Sequence, residues 1–231
     1  KEQNVGSLGD AEIFSFHATK VFHTGEGGAV VTNSKDLYDK LCKVRCFGFN
    51  QYLNFSQLGI NGKMNEFSSL TGLLNLKKFD KYLLKRKKFY EYYIESISSV
   101  NGILPLDIRK IPNVTPNYSY CCVSVDPNIY GLTNRELYYA LIQENIISRC
   151  YFFPPVHRTE YYYKMTKSNN IKLPITDQAA LSTLALPFSS EINFKEIDNI
   201  VFALKKCYSF SSANIFSDIA LAIILLPLSE K

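Results

Sequence analysis

The segment from Ala11 to Val30, AEIFSFHATKVFHTGEGGAV, constrains this chain more than any other stretch. A β-type apolar run, Ile13-Phe14-Ser15-Phe16, leads into His17-Ala18-Thr19-Lys20. The turn Thr24-Gly25-Glu26-Gly27-Gly28 follows, and then a second apolar run, Ala29-Val30-Val31. Such runs, bounded by turn residues, predict two short neighbouring strands over 12–17 and 28–32. Both are expected to be buried, with Lys20 held between them and the Ser15 hydroxyl five residues before it. An amine in a structured apolar setting loses solvation of its charged form, so its pKa falls and it becomes a nucleophile. A lysine of that kind forms Schiff bases. A surface lysine at a strand end is the plainer reading of the same pattern, and it stays open on these residues alone. The glycine turn has neither G-x-G-x-x-G nor Walker spacing, so it does not read as a phosphate loop. Its glycines instead allow positive φ and close backbone approach behind the lysine.

Further elements follow from local signals. Ser34 is placed to cap a helix beginning Lys35-Asp36-Leu37, and Asn65 to cap one over 66–74. Residues 47–60 read as a loop rich in Gly, Asn and aromatics. A long amphipathic helix is expected over 79–98, punctuated by Asn101-Gly102. Pro105, Pro112 and Pro116 mark an irregular link, after which come a strand over 118–125, a helix over 134–143 and a short strand over 146–149. Helices over 177–184 and 194–205 complete the pattern. Strands alternating with helices predict a small α/β domain in the second half, with the boundary near Gly102.

The chain has 231 residues, 46% hydrophobic and 20% charged, which suits a globular protein with a substantial core. Its net charge of +5 includes a lysine-rich stretch over 77–88, interleaved with Phe79, Tyr82, Leu83 and Leu84. That pattern is the solvated face of an amphipathic helix, and no nucleic-acid motif accompanies it. The six cysteines form no CxxC pair and have no zinc-ligand spacing. They read as reduced packing residues of a cytoplasmic protein. No secretory leader pattern is visible. The apolar run over 219–228 falls short of the ~20 residues that span a bilayer, so no membrane partner is expected. A docking helix and the product of an altered reading frame both remain open for it.

The order of residues adds more. Ser15-Phe16-His17-Ala18-Thr19-Lys20 followed by Thr24-Gly25-Glu26-Gly27-Gly28-Ala29-Val30-Val31-Thr32 resembles the lysine segment of the DegT/StrS family of sugar-nucleotide aminotransferases. Val5-Gly6-Ser7-Leu8-Gly9-Asp10-Ala11 resembles the stretch leading into it. Gly59-Ile60-Asn61-Gly62-Lys63-Met64-Asn65-Glu66 matches that family's G-x-N-x-[RK]-M-x-E element. The run from Arg149 through Tyr151 to His157 is similar to its R-x-Y-F-x-P-x-x-H element. The resemblance covers Val5 to about Tyr208. It implies a fold-type-I aminotransferase using pyridoxal 5′-phosphate (PLP). The α/β fold would then comprise part of the large domain over 1–101 and a small α/β domain over 102–210, with an apolar tail over 211–231 outside the resemblance.

By that resemblance, Lys20 would carry the Schiff base and afterwards move a proton as acid and base. Ser15 would donate to the cofactor phosphate, and Asn61 would reach the phosphate from the partner subunit of a homodimer whose sites are shared. His17 either tunes the lysine or fills the turn. Lys63 either meets an anionic substrate or braces its loop. Arg149, Tyr151 and His157 would lie on the substrate side, where a guanidinium suits a diphosphate. The substrates implied are a nucleotide-linked keto-deoxysugar, most like a dTDP-4-keto-6-deoxysugar, and an amino donor such as glutamate. Relatives carry a longer N-terminal portion with the carboxylate that pairs with the pyridine nitrogen, the ring-stacking residue and a Gly/Thr phosphate loop. None of these is found in the 231 residues. A non-catalytic remnant of such an enzyme, and a PLP enzyme acting on a non-sugar ketone, therefore stay open beside the aminotransferase.

Overall fold

The computed structural model describes residues 4–50, 54–165 and 172–212, with the side chains of 209–212 excepted. The described residues form two compact units, dividing between Tyr82 and Leu83.

In the first unit, β1 (Glu12–Ser15) pairs antiparallel with β2 (Gly28–Val31), with Ser15 opposite Gly28. The Glu12 carboxylate accepts from the backbone N–H groups of Gly6, Leu8 and Gly9, which fastens the preceding loop to β1. Those bonds, that from Leu8 first, hold the carboxyl below its ordinary range. Helix α1 (Lys35–Arg45) starts at Ser34, whose side chain accepts from Leu37 N. Helix α2 (Glu66–Leu76) starts at Asn65, whose Oδ1 accepts from Ser68 N at 2.9 Å. Between these helices the loop doubles back, with Cys46 bridged to Asn61 and Phe49 to Phe55.

The expected burial of β1 and β2 does not hold. Their residues alternate between half-buried and exposed, and Ile13 is 82% exposed. Two four-residue strands and one helical layer expose one apolar face unless a further layer covers it.

In the second unit, the core sits against the C-terminal part of α3 (Phe79–Ile97), which crosses the division between units. Its Phe89, Tyr90, Tyr93, Ile94 and Ile97 recur at helical spacing and are buried. Gly102 follows at φ +76°; an added Cβ would lie 2.5 Å from Tyr130 N, so the turn requires glycine. Strand β3 (Ile103–Pro105) pairs antiparallel with β4 (Cys121–Val125). A short helix, α4 (Pro127–Tyr130), precedes α5 (Asn134–Gln143). After α6 (Glu160–Met165) come α7 (Pro174–Ser182), β5 (Thr183–Leu186) and α8 (Phe194–Ser212). The sheet order is β3-β4-β5, antiparallel throughout, without the parallel pairing that strict alternation favours.

Four expectations shift here. The helix over 177–184 ends at Ser182, because Leu184 is buried in the strand that pairs with Cys121–Ser124. The strand over 118–125 begins only at Cys121, since Tyr118 turns to φ 52°. Of 146–149, only Arg149 pairs, forming a single bridge with Ala185. The irregular link marked by Pro105, Pro112 and Pro116 begins inside an edge strand, Ile103–Pro105, which tolerates Pro105 at its end. The tail over 211–231 lies outside the described residues from 213 onward.

Candidate active site

The Lys20 turn is built by short-range bonds. Phe16 N donates to Gly27 O and Thr24 N to Phe16 O, both at 2.9 Å, so the sheet pairing continues past β1 and β2. Between them, Lys20 N donates to His17 O at 2.9 Å and closes a tight turn. Lys20 is half-buried at the end of this turn. Ser15 is exposed on the last residue of β1, and its Oγ accepts a long bond of 3.4 Å from His17 N. The Ser15 O–H can therefore donate outward. The hairpin thus presents a hydroxyl donor and a primary amine at one end.

The turn is braced from behind. Thr24 is buried, and its Oγ1 donates to Glu26 O at 2.7 Å. A Cβ at Gly27 would lie 2.5 Å from that Oγ1 and 2.9 Å from Met64 Cε. Glycine here thus lets both Thr24 and the loop carrying Met64 approach. A Cβ at Gly72 in α2 would meet Thr24 Cγ2 at 2.8 Å, and Asn75 Nδ2 donates to His23 O at 2.9 Å. Phe22 packs edge-on against Phe16 and Phe79. The sequence placed Thr24 only as a turn residue and gave no role to Gly72 or Asn75. A glycine inside a helix, which weakens that helix unless packing requires it, was the available signal.

Asn61 is exposed in its bridge with Cys46, three residues before Met64. Lys63 lies over the Phe47 ring at 4.8 Å, which braces the loop. The other three candidates belong to the second unit. Arg149 is exposed and exchanges both backbone bonds with Ala185 at 2.9 and 2.8 Å. Tyr151 stacks on Phe152, with ring centroids 4.5 Å apart, and meets Tyr120 edge-on. His157 is nearly enclosed, and its Nε2 lies 3.0 Å from Asp177 Oδ1 without forming a directed hydrogen bond. That carboxylate is committed to Arg158, which donates Nε at 3.2 Å and Nη2 at 2.8 Å. The Arg158 guanidinium holds the Asp177 carboxyl below its ordinary range. A groove of about 810 Å³ in the same unit, lined by Ile147, Phe188, Glu191 and Phe202, includes none of these residues.

Among the described residues, no group of three or more His, Cys, Asp or Glu is placed to hold a metal, and no helix is long and apolar enough to cross a membrane. The donor set at the lysine hairpin, one hydroxyl and one amine, suits a ligand that carries both an anionic group and an aldehyde.

A profile of the DegT/DnrJ/EryC1/StrS aminotransferase family matches residues 1–205. The chain belongs to that family. It is similar to the dTDP-4-amino-4,6-dideoxy-D-glucose transaminase of Shigella dysenteriae, 32% identical over 211 residues, 89% of this chain and 55% of that protein. The UDP-4-amino-4,6-dideoxy-N-acetyl-beta-L-altrosamine transaminase of Campylobacter jejuni subsp. jejuni serotype O:23/36 is 28% identical over 200 residues, 85% of this chain and 52% of that protein. Among solved structures, DesI in the presence of its TDP-sugar product superposes with a TM-score of 0.80 at 32% identity, over 88% of this chain and 50% of that one. Helicobacter pylori PseC, an aminotransferase involved in the biosynthesis of pseudoaminic acid, gives 0.80 at 23% identity over 90% and 56%, a likeness of fold. The DegT family member described here thus has a PLP-aminotransferase fold and spans about half the length of the curated relatives it matches.

Proposed function

We propose that this chain carries the lysine-bearing part of a PLP-dependent aminotransferase acting on a nucleotide-linked keto-deoxysugar. The observation that carries the reading is the hairpin end, where His17 N donates to Ser15 Oγ and His17 O accepts from Lys20 N, so that one run of bonds ties the serine to the lysine. The cofactor would supply an aldehyde to the amine and an electron-withdrawing ring to the substrate carbon. Ser15 would donate to the phosphate. Lys20 would hold the cofactor through its aldehyde, and the Lys20 amine would serve as the acid and base at the substrate carbon. Asn61, exposed on its loop, reaches the phosphate of a partner subunit's site in a homodimer. Arg149, Tyr151 and His157 would lie on the substrate side, where the Arg149 guanidinium suits the diphosphate of a nucleotide sugar.

The similarity to the Shigella transaminase and to DesI supports a dTDP-4-keto-6-deoxysugar substrate; the amino donor proposed is an amino acid such as glutamate. The same similarity supports a cytoplasmic biosynthetic role. The large-domain part over 1–101 would be completed by the half of a family chain that these residues do not match. The exposed apolar side chains of Ile13, Leu58 and Phe67 favour that completion.

The test adds PLP to the 231-residue chain, reduces with borohydride and locates the label by mass spectrometry. One pyridoxyl group on Lys20, absent from Lys20→Ala, is the expected result. Labelling spread over surface lysines and unchanged in Lys20→Ala would sink the reading. That outcome would favour a non-catalytic remnant, which the exposed apolar face of the first unit also fits.

A further inference from the structure

The His17 ring clips the turn that carries Lys20. Its Nδ1 lies 2.9 Å from Thr19 Oγ1 and accepts from Thr19 N at 3.3 Å. An Nδ1 that accepts an N–H places the ring proton on Nε2. Nε2 lies 3.6 Å from Glu26 Oε1 on the glycine turn. On the backbone, His17 N donates to Ser15 Oγ, and His17 O accepts from Lys20 N. One residue therefore bonds to Ser15, Thr19 and Lys20 and faces Glu26. The Glu26 contact is open to water and contributes little by itself. The Nδ1 contacts are different, because they fix the Ala18–Thr19 peptide and the Thr19 side chain, immediately before the lysine.

We infer that His17 is a positioning residue, which sets the spacing and direction of the Lys20 amine relative to the Ser15 hydroxyl. The inference rests on the proposed role of Lys20 as the covalent anchor. In that step Lys20 Nζ adds to the aldehyde carbon, the C=N bond forms, and the carbonyl oxygen leaves as water with the two amine protons. The addition needs the amine lone pair aimed at the aldehyde while the phosphate sits at Ser15, so a turn free to rotate slows it. Asparagine can accept from the N–H two residues on through its own side chain, whereas alanine cannot.

The experiment compares wild type, His17→Ala and His17→Asn in the full chain by two readouts. The first is the rate at which Lys20 becomes reducible onto PLP. His17→Ala should slow it about tenfold, and His17→Asn should recover most of that loss. The second needs no cofactor: competitive acetic anhydride labelling, followed residue by residue. Labelling of Lys20 should change several-fold in His17→Ala and return toward wild type in His17→Asn, while other lysines keep their ratios. Lys20 labelling unchanged in His17→Ala would overturn the inference. So would His17→Asn behaving as His17→Ala in both readouts. Wild type that fails to take PLP on Lys20 instead removes the anchor reading, and the anhydride arm still decides whether His17 sets the lysine.

Discussion

Arg86 is the clearest single residue on which the second unit depends. It is buried, donates Nε to Tyr118 O at 2.7 Å and Nη2 to Ser119 O at 2.8 Å, and lies 4.7 Å over the Phe188 ring. Among the described residues no carboxylate pairs with it. Its bonds go to carbonyls of the bend where Tyr118 turns to positive φ just before β4. Burial lowers its pKa to about 10, so the guanidinium stays charged at neutral pH and its hydration is replaced by carbonyl dipoles. Arg86→Met leaves two carbonyls without donors and should cost about 2–4 kcal/mol in a urea melt. Arg86→Lys should recover less than half, because one ammonium cannot serve two carbonyls as a planar fork does. An Arg86→Met chain at least as stable as wild type would mean that burying the charge costs more than its bonds return. The sequence showed Arg86 only as one more cation in a lysine-rich stretch, since its acceptors lie more than thirty residues away.

At the scale of elements, the capped helices and the strands β1, β2 and β4 declared themselves through local patterns, whereas β3 and β5 did not. Helix α5 begins with a reciprocal box: Glu136 N donates to Thr133 Oγ1 at 3.3 Å and Thr133 N to Glu136 Oε2 at 2.8 Å. Thr133→Ala should therefore lower stability by about 1 kcal/mol and fray the first turn of α5, seen as faster amide exchange there. Unchanged exchange at Glu136 would show that tertiary packing alone holds the helix start. Ser34 and Asn65 cap α1 and α2 through their side-chain acceptors, and both were legible in the sequence. Asn134 was not. It is buried and donates to Ala180 O and Thr183 O at 3.2 and 2.9 Å, joining α5 to the junction where α7 gives way to β5. Strands β3 and β5 exist only because β4 pairs with both, a relation that four apolar residues in a row do not carry. The same division runs through the candidate site. Ser15 and Lys20 lie on one local turn and could be read as a pair. The His157–Asp177 contact spans twenty residues and could not.

For the whole molecule, the distribution of burial matters most. Every fully buried apolar side chain among the described residues lies in the second unit, from Phe89 to Cys207. That core is rich in phenols and thiols, which gives it an alkaline weakness. Burial pushes the Tyr90 phenol up to about 12 from its usual 10.0, and the Cys207 thiol up to about 11 from 9.0. Tyr93, Tyr130 and Cys121 are raised in the same direction by the same cause. Each is an acid whose folded-state pKa exceeds its unfolded value, so the unfolded chain gives up protons first as pH rises. The stability they contribute is whole below pH 9.0 and is lost as pH climbs through about 11 and about 12. Raising the pH while following the phenolate absorbance and the far-ultraviolet circular dichroism together tests this. Exposed tyrosines such as Tyr161 should ionise first, with the helical signal intact. A second phenolate step should then coincide with loss of that signal. Complete ionisation in one step, with the circular dichroism unchanged, would show that Tyr90, Tyr93 and Tyr130 are reached by hydroxide without unfolding.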